Sequence, residues 1–162
     1  MKKCEGSEGL GELIERGGIY YTLQGRSVSE ILEALVALVP LPQVIRVQDL
    51  FRAVMERENL MSTSIGRGIA VPHPRNPLVS EAEEQFVALA FPENPIDWNA
   101  MDGKPVDTVL LIVSSSAQSH LRTLSSITFF CQKDAFLKLL KERAPRETLV
   151  DFIKKTEHEW RG

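Results

Sequence analysis

The predicted fold of this chain is organised around the stretch Ser62-Thr63-Ser64-Ile65-Gly66-Arg67-Gly68-Ile69-Ala70-Val71-Pro72-His73-Pro74-Arg75. The two glycines permit the positive φ angles of a tight loop. The apolar run that follows them, 69–72, predicts a short buried strand. The two prolines stiffen the backbone on either side of His73, where the imidazole leaves that strand. The pattern favours a histidine presented for chemistry, and the alternative is a surface histidine in a Pro-rich turn.

Composition limits the classes of protein to consider. The chain has 162 residues, which fits one domain, and 43% of them are hydrophobic. Its net charge of −3 argues against nonspecific nucleic-acid binding. The start of the chain lacks an apolar signal segment, and the run 109–113 is too short to span a bilayer. Cys4 and Cys131 have neither disulfide nor zinc-ligand spacing, which fits a reducing compartment. We therefore expect a cytoplasmic protein without membrane insertion, metal or cofactor.

Hydrophobic periodicity predicts alternating strands and amphipathic helices. Strands are predicted at 19–23, 69–72, 85–91 and 108–113, and helices at about 10–15, 28–39, 47–59, 120–132, 135–141 and from 145 onward. The predicted strand 108–113 is apolar from Val109 onward, without alternation, which indicates a central strand covered on both faces. The pattern predicts an α/β three-layer sandwich, with a mixed central sheet and helices on both faces. Residues 1–9 are predicted to be a flexible lead.

The central stretch resembles a known family. Residues 62–73 are similar to the phosphorylation-site signature of phosphotransferase system enzyme IIA domains of the mannitol/fructose/nitrogen-regulatory type (type 2). The resemblance extends from about Leu10 to about Ile153 and includes the segments Glu56-Arg57-Glu58, Ile96-Asp97-Trp98, Asp102-Gly103-Lys104-Pro105-Val106 and His120-Leu121. It implies that residues 10–162 form a single enzyme IIA type-2 domain.

The resemblance implies roles for three residues. His73 would accept a phosphoryl group from a histidine-containing phosphocarrier protein, as a neutral imidazole with a pKa near 6.5 is able to do. His120 would donate a hydrogen bond to the phosphoryl oxygens, and Arg57 would neutralise their charge with its guanidinium fork. Without the resemblance, His120 is a polar residue at a helix start and Arg57 is a solvated cation.

Further binding candidates are weaker. The hydroxyls of Ser62, Thr63 and Ser64 either contact the phosphoryl group or cap local turns. Arg67 is a second candidate for charge stabilisation, and Arg75 either contacts a partner protein or is solvated.

The geometry of the site is also predicted. We expect His73 and His120 to converge at the C-terminal rim of the sheet. The glycine loop should lie there too, as should a helix capped by Ser119. Pro74 departs from the family pattern, in which Gly or Ala often follows the histidine. The proline removes a backbone N–H at this position.

Two functions remain open from sequence. The first is an enzyme IIA component, a protein-histidine phosphotransferase that passes the phosphoryl group to an enzyme IIB partner or keeps it as a regulatory signal. Segments 17–21 and 72–77 resemble the nitrogen-regulatory branch. The second is a non-catalytic regulatory or scaffold module that binds partners according to phosphorylation state.

Overall fold

A mixed five-stranded sheet forms the centre of the protein, seen here in a computed structural model that describes residues 8–161. The strands are β1 (Ile19–Leu23), β2 (Ser64–Gly66), β3 (Ile69–Ala70), β4 (Phe86–Pro92) and β5 (Thr108–Val113), in the order β1-β4-β5-β3-β2. β4 is parallel to β1 and antiparallel to β5, and β3 is parallel to β5 and antiparallel to β2. Residues 1–7 of the predicted lead, with Cys4, lie outside the described residues.

Helices cover both faces of this sheet. They are α1 (Leu10–Gly17), α2 (Val28–Val36), α3 (Val47–Leu60), α4 (Ala117–Cys131), α5 (Asp134–Lys141) and α6 (Arg146–Arg161), and a short 3-10 helix spans Ala82–Glu84. One hydrophobic cluster joins the sheet to α1, α4, α5 and α6, and a second joins it to α2 and α3. The predicted three-layer α/β sandwich is therefore confirmed.

The two central strands separate the two cores by simple alternation. In β4, Val87 and Leu89 belong to the first cluster, whereas Phe86 and Ala88 belong to the second. Every residue of β5 is buried, and β5 occupies the middle of the sheet. The apolar run at 109–113 is therefore explained as the sequence indicated, since both faces of the strand are covered.

Two local predictions were wrong. The strand predicted over 69–72 ends at Ala70, and it pairs with β2 in a hairpin that the sequence did not predict. Helix α4 begins at Ala117 and not at His120, because the Ser116 hydroxyl accepts the N–H of Ser119 and caps the helix one turn earlier. With this register Leu121 is 63% exposed.

Between residues 8 and 161, no helix combines the length and the apolar character that crossing a bilayer requires.

The contact of α1 with the sheet generates a stability prediction. A Cβ added at Gly17 would lie 2.1 Å from the carbonyl oxygen of Val87, so Gly17→Ala must displace backbone. We expect this change to lower the free energy of unfolding by about 2–3 kcal/mol, as overpacking does. Urea denaturation measures the loss.

The control for this prediction is Gly103→Ala. Gly103 has a φ of +71°, a backbone conformation that disfavours other residues, but no atom lies within 4 Å of an added Cβ. That change should cost only about 1 kcal/mol, from backbone strain alone. Equal losses in the two variants would contradict the close packing of α1 on β4.

Candidate functional site

His73 is held by a hydrogen bond to its own chain. Its Nδ1 lies 2.8 Å from the carbonyl oxygen of Val71, two residues earlier. A carbonyl oxygen only accepts, so Nδ1 carries the proton and the lone pair of the neutral ring is on Nε2. The backbone here is fixed from the other side as well, since the N–H of Ile112 in β5 donates to the carbonyl of Pro72.

The fold brings His120 against His73. The two ring centroids are 4.5 Å apart, with the planes inclined at 46°. His73 follows β3 and His120 lies in the first turn of α4, which follows β5. Because β3 and β5 are parallel neighbours, their carboxyl ends meet at the same edge of the sheet. The topology therefore accounts for the meeting of two residues that are distant in sequence.

Both imidazoles are neutral at neutral pH. Burial lowers the pKa of His73 below its usual 6.5, the hydrogen bond to Val71 opposes this, and the charge of Arg57 lowers it further. Burial also lowers the pKa of His120 to about 4, and the neighbouring His73 and Arg57 lower it further, because a second proton at this site would meet existing positive charge. The site thus contains two uncharged rings beside a fixed cation.

Arg57 lies at the end of α3 and is half-buried. Its Nη1 donates a 2.8 Å hydrogen bond to the carbonyl of Met61, which holds the side chain over the chain reversal after the helix. Its charge acts on both histidines, as their lowered pKa values reflect. The fold thus brings Arg57 within electrostatic range of the imidazole pair.

Arg67 is placed elsewhere. Its Nη1 donates to the carbonyl of Cys131, at the last residue of α4, and its backbone N–H donates to the Asp102 carboxylate. His120 lies at the opposite end of the same helix, about 16 Å away at 1.5 Å per residue. Arg67 thus caps the C-terminus of α4, and its predicted place beside the histidines is corrected.

The glycine loop lies at the opposite end of β3 from His73. It forms the turn of the β2–β3 hairpin, with φ of 85°, 58° and 80° at Gly66, Arg67 and Gly68. The carbonyl of Gly68 accepts from the N–H of Thr108, at the start of β5. The expectation that this loop lies at the C-terminal rim is wrong, because β3 separates the loop from His73.

The three hydroxyl residues make structural hydrogen bonds. Ser62 donates to the carbonyl of Trp98, Thr63 donates to the Glu58 carboxylate, and Ser64 donates to the carbonyl of Ile69. Each hydroxyl has one hydrogen, so these contacts correspond to the turn-capping alternative. Arg75 and His158 are exposed, and Pro74, which lacks an N–H, is buried.

Glu58 is a feature of the site that sequence reasoning left without a role. Its carboxylate accepts three hydrogen bonds of 2.6 Å, from the backbone N–H of Thr63, the hydroxyl of Thr63 and the indole N–H of Trp98. Its negative charge acts on His73 in the direction opposite to that of Arg57. Glu58 belongs to the segment 56–58, which contributed to the family resemblance. That segment is the feature of the sequence from which a role for Glu58 could have been predicted.

The assembled groups suit chemistry on a tetrahedral anion. Nε2 of His73 offers a lone pair, the neutral ring of His120 has one N–H to donate, and Arg57 supplies a permanent positive charge. Both histidines are partly exposed at the edge of the sheet, so a group carried by another macromolecule has access to them.

Comparison with known proteins identifies the class. The family described as phosphoenolpyruvate-dependent sugar phosphotransferase system, EIIA 2, matches residues 12–156. A nitrogen regulatory protein of Pseudomonas aeruginosa is 30% identical over 89% of this chain and 94% of its own length. The crystal structure of the nitrogen regulatory protein IIA-Ntr from Neisseria meningitidis superposes with a TM-score of 0.77 at 25% identity, covering 88% of this chain and 97% of that one.

A third similarity is to a complex. The structure of enzyme IIA-Mtl with phosphorylated enzyme IIB-Mtl from Escherichia coli matches with a TM-score of 0.64 at 16% identity, covering 85% of this chain and 94% of that one, which is a likeness of fold. The mixed α/β sandwich is thus the fold of the phosphotransferase system IIA proteins. This chain belongs to their EIIA 2 family.

The low pKa of His120 generates a prediction about stability. The unfolded chain has an ordinary histidine pKa near 6.5 whereas the folded value is about 4, so the folded protein binds fewer protons between these values. The contribution of His120 to stability is therefore complete above pH 6.5 and is lost as the pH falls toward 4. We expect His120→Gln to flatten the pH dependence of the unfolding free energy in this window.

Urea denaturation across the same pH window, on wild type and variant, checks this expectation. Carboxylates also titrate there, but their contribution cancels in the comparison. His158→Gln, on the exposed surface of α6, is the matched control and should keep the wild-type slope. An identical slope for His120→Gln and wild type would contradict burial of a neutral His120.

Proposed function

We propose that this protein is a phosphotransfer component whose His73 accepts a phosphoryl group on Nε2 from the phosphohistidine of a small carrier protein. The observation that carries the proposal is the 2.8 Å hydrogen bond from Nδ1 to the Val71 carbonyl, which leaves Nε2 as the nucleophilic nitrogen. The lowered pKa of His73 adds to this, because it keeps the ring uncharged at neutral pH.

The transfer step balances without an external acid or base when the carrier phosphohistidine carries a proton on its second ring nitrogen, because that ring then leaves as a neutral imidazole. The Nε2 lone pair forms the new P–N bond while the bond from phosphorus to the carrier imidazole breaks and returns its electron pair to that ring. His73 keeps the proton on Nδ1, and the Val71 carbonyl stabilises the positive charge that develops on the ring. Such transfers depend on positioning and on charge stabilisation.

His120 and Arg57 supply that stabilisation in our proposal. The neutral His120 ring donates one N–H to a phosphoryl oxygen, since its ring contacts that of His73. Arg57 neutralises the charge of the phosphoryl group and has further N–H donors beyond the one bound to Met61. Both groups act most strongly on the charge that spreads over the oxygens in the transition state.

Apolar side chains beside these residues support a protein as the donor. Leu60 and Met61 follow Arg57 at the end of α3, and Leu121 follows His120; all three are more than 60% exposed. Exposed apolar groups around a reactive residue are typical of a surface that docks another protein. We infer that the phosphocarrier protein docks on this surface.

The regulatory branch is the more specific interpretation. The Pseudomonas aeruginosa relative, which this chain matches over 94% of that protein's length, is named a nitrogen regulatory protein. We therefore propose that the phosphorylation state of His73 acts as a signal to a target protein. Onward transfer to an enzyme IIB partner is the second outcome, supported by the fold likeness to an enzyme IIA bound to a phosphorylated enzyme IIB.

The test is phosphorylation of variants by a purified phosphocarrier protein that is recharged from phosphoenolpyruvate. His73→Ala should accept no acid-labile phosphate, because it lacks the nucleophile. His120→Ala and Arg57→Ala should still accept it, with transfer slowed about a hundredfold to a thousandfold by the loss of one transition-state donor. Rapid-quench kinetics measures the rates, and mass spectrometry under alkaline conditions locates the modified residue.

Arg67→Ala is the control that matches Arg57→Ala. It removes the same kind of cation but only breaks the contact with Cys131 at the far end of α4. Its transfer rate should stay near that of wild type. The proposal fails if His73→Ala is phosphorylated normally or if phosphate appears on His120. Absence of phosphate on the wild type would favour the scaffold alternative.

A further inference from the structure

We propose that Glu58 is a positioning residue for His73. Its carboxylate fixes the chain segment that bears the Val71 carbonyl, and so holds the His73 ring in the tautomer that is protonated on Nδ1. This inference rests on the proposed function only for its kinetic consequence, because the tautomer of His73 is a property of the free protein.

The carboxylate of Glu58 joins three elements. Oε2 accepts the backbone N–H of Thr63, and Oε1 accepts both the Thr63 hydroxyl and the indole N–H of Trp98. Trp98 is 2% exposed and is packed in the core between the sheet, α2 and α3. Glu58 therefore ties Thr63 to a side chain that cannot move without disrupting that core.

A chain of hydrogen bonds leads from Thr63 to the imidazole. The carbonyl of Thr63 accepts the N–H of Val71 at 3.0 Å. The carbonyl of Val71 then accepts Nδ1–H of His73 at 2.8 Å. On the side that faces β5, the N–H of Ile112 donates to the next carbonyl, that of Pro72. On the side that faces β2, Thr63 is the backbone contact that holds Val71.

The hairpin of β2 and β3 needs support because both of its strands are short. β2 has three residues and β3 has two, and their pairing is irregular between Ser64 and Gly66. A hairpin of this size is marginal by itself. Glu58 anchors its open end to α3 and to Trp98, which explains how so short a pairing keeps the Val71 carbonyl in place.

A carboxylate suits this position better than an amide. All three groups that face Glu58 are donors, and an ionised carboxylate only accepts. A glutamine would direct its NH2 group at either the Thr63 N–H or the Trp98 indole, and one donor would lose its partner. The negative charge of Glu58 also opposes the effect of Arg57 on the pKa of His73, which agrees with a place close to the ring.

Glu58→Gln tests the proposal, with Glu56→Gln as the matched control. Glu56 is exposed on the same helix, and its replacement makes the same change of charge. NMR of the histidine ring nitrogens in the free protein should show the Nδ1–H tautomer in wild type and in Glu56→Gln. In Glu58→Gln we expect a mixture of both tautomers.

Transfer kinetics with a phosphorylated carrier gives the second readout. We expect kcat of Glu58→Gln to fall about tenfold to a hundredfold, as misplacement of a reacting atom does, with KM within about twofold of wild type. A loss of overall structure would change both parameters and the near-UV circular dichroism. Folded Glu58→Gln with the wild-type tautomer and kcat would overturn the proposal.

Thr63→Val decides the question if Glu58→Gln does not fold. It preserves the shape of the side chain and the backbone N–H contact but removes the hydroxyl bound to Glu58. We expect a smaller shift of the tautomer ratio in the same direction, and a wild-type ratio would overturn the proposal. If wild type accepts no phosphate, the proposed function fails, whereas the NMR comparison still tests the positioning role.

Discussion

The hydrogen bond from Nδ1 of His73 to the carbonyl of Val71 is the interaction on which the proposed chemistry of this protein depends. It decides which nitrogen of the ring is available, and it does so with a backbone group that has no other protonation state. The carbonyl is itself held by the sheet, since the neighbouring Pro72 carbonyl is bound to β5 and the Val71 N–H is bound to Thr63. In the proposed reaction, a nucleophile fixed in this manner loses little entropy, because its orientation is already that of the product.

The order of the strands brings His120 to His73. Two adjacent parallel strands, β3 and β5, end at one edge, and the chain that leaves each of them carries a histidine. Partial burial at this edge lowers the pKa of both histidines, and the neighbouring His73 lowers that of His120 further. Arg57 comes from α3, on the face of the sheet opposite to α4, and its charge strengthens this effect. Neutral rings and a permanent cation are complementary to a phosphoryl group, and the membership of the EIIA 2 family agrees with that chemistry.

Sequence was informative where one physical cause dominates. The strand 108–113 is apolar from Val109 onward because both faces of β5 are buried, and the central strand was predicted from that run alone. The approach of His120 to His73 required the resemblance to a family, since no periodicity relates two residues in different elements. The position of Arg67 could not be predicted, because its partner is the carbonyl of Cys131, which any residue type would offer. The cap of α4 was misplaced because serines occupy both 116 and 119, and residue type does not distinguish them; in the structure Ser116 is the cap.

The identity of the phosphorylated nitrogen tests the central claim most directly. Phosphorylating the protein with its carrier and recording heteronuclear NMR of the histidine ring nitrogens, with their coupling to phosphorus, assigns the new P–N bond to one atom. The account predicts a single phosphohistidine at Nε2 of His73, with a proton on Nδ1 that remains hydrogen-bonded to the Val71 carbonyl. Coupling of phosphorus to Nδ1 of His73, or to either nitrogen of His120, would contradict it.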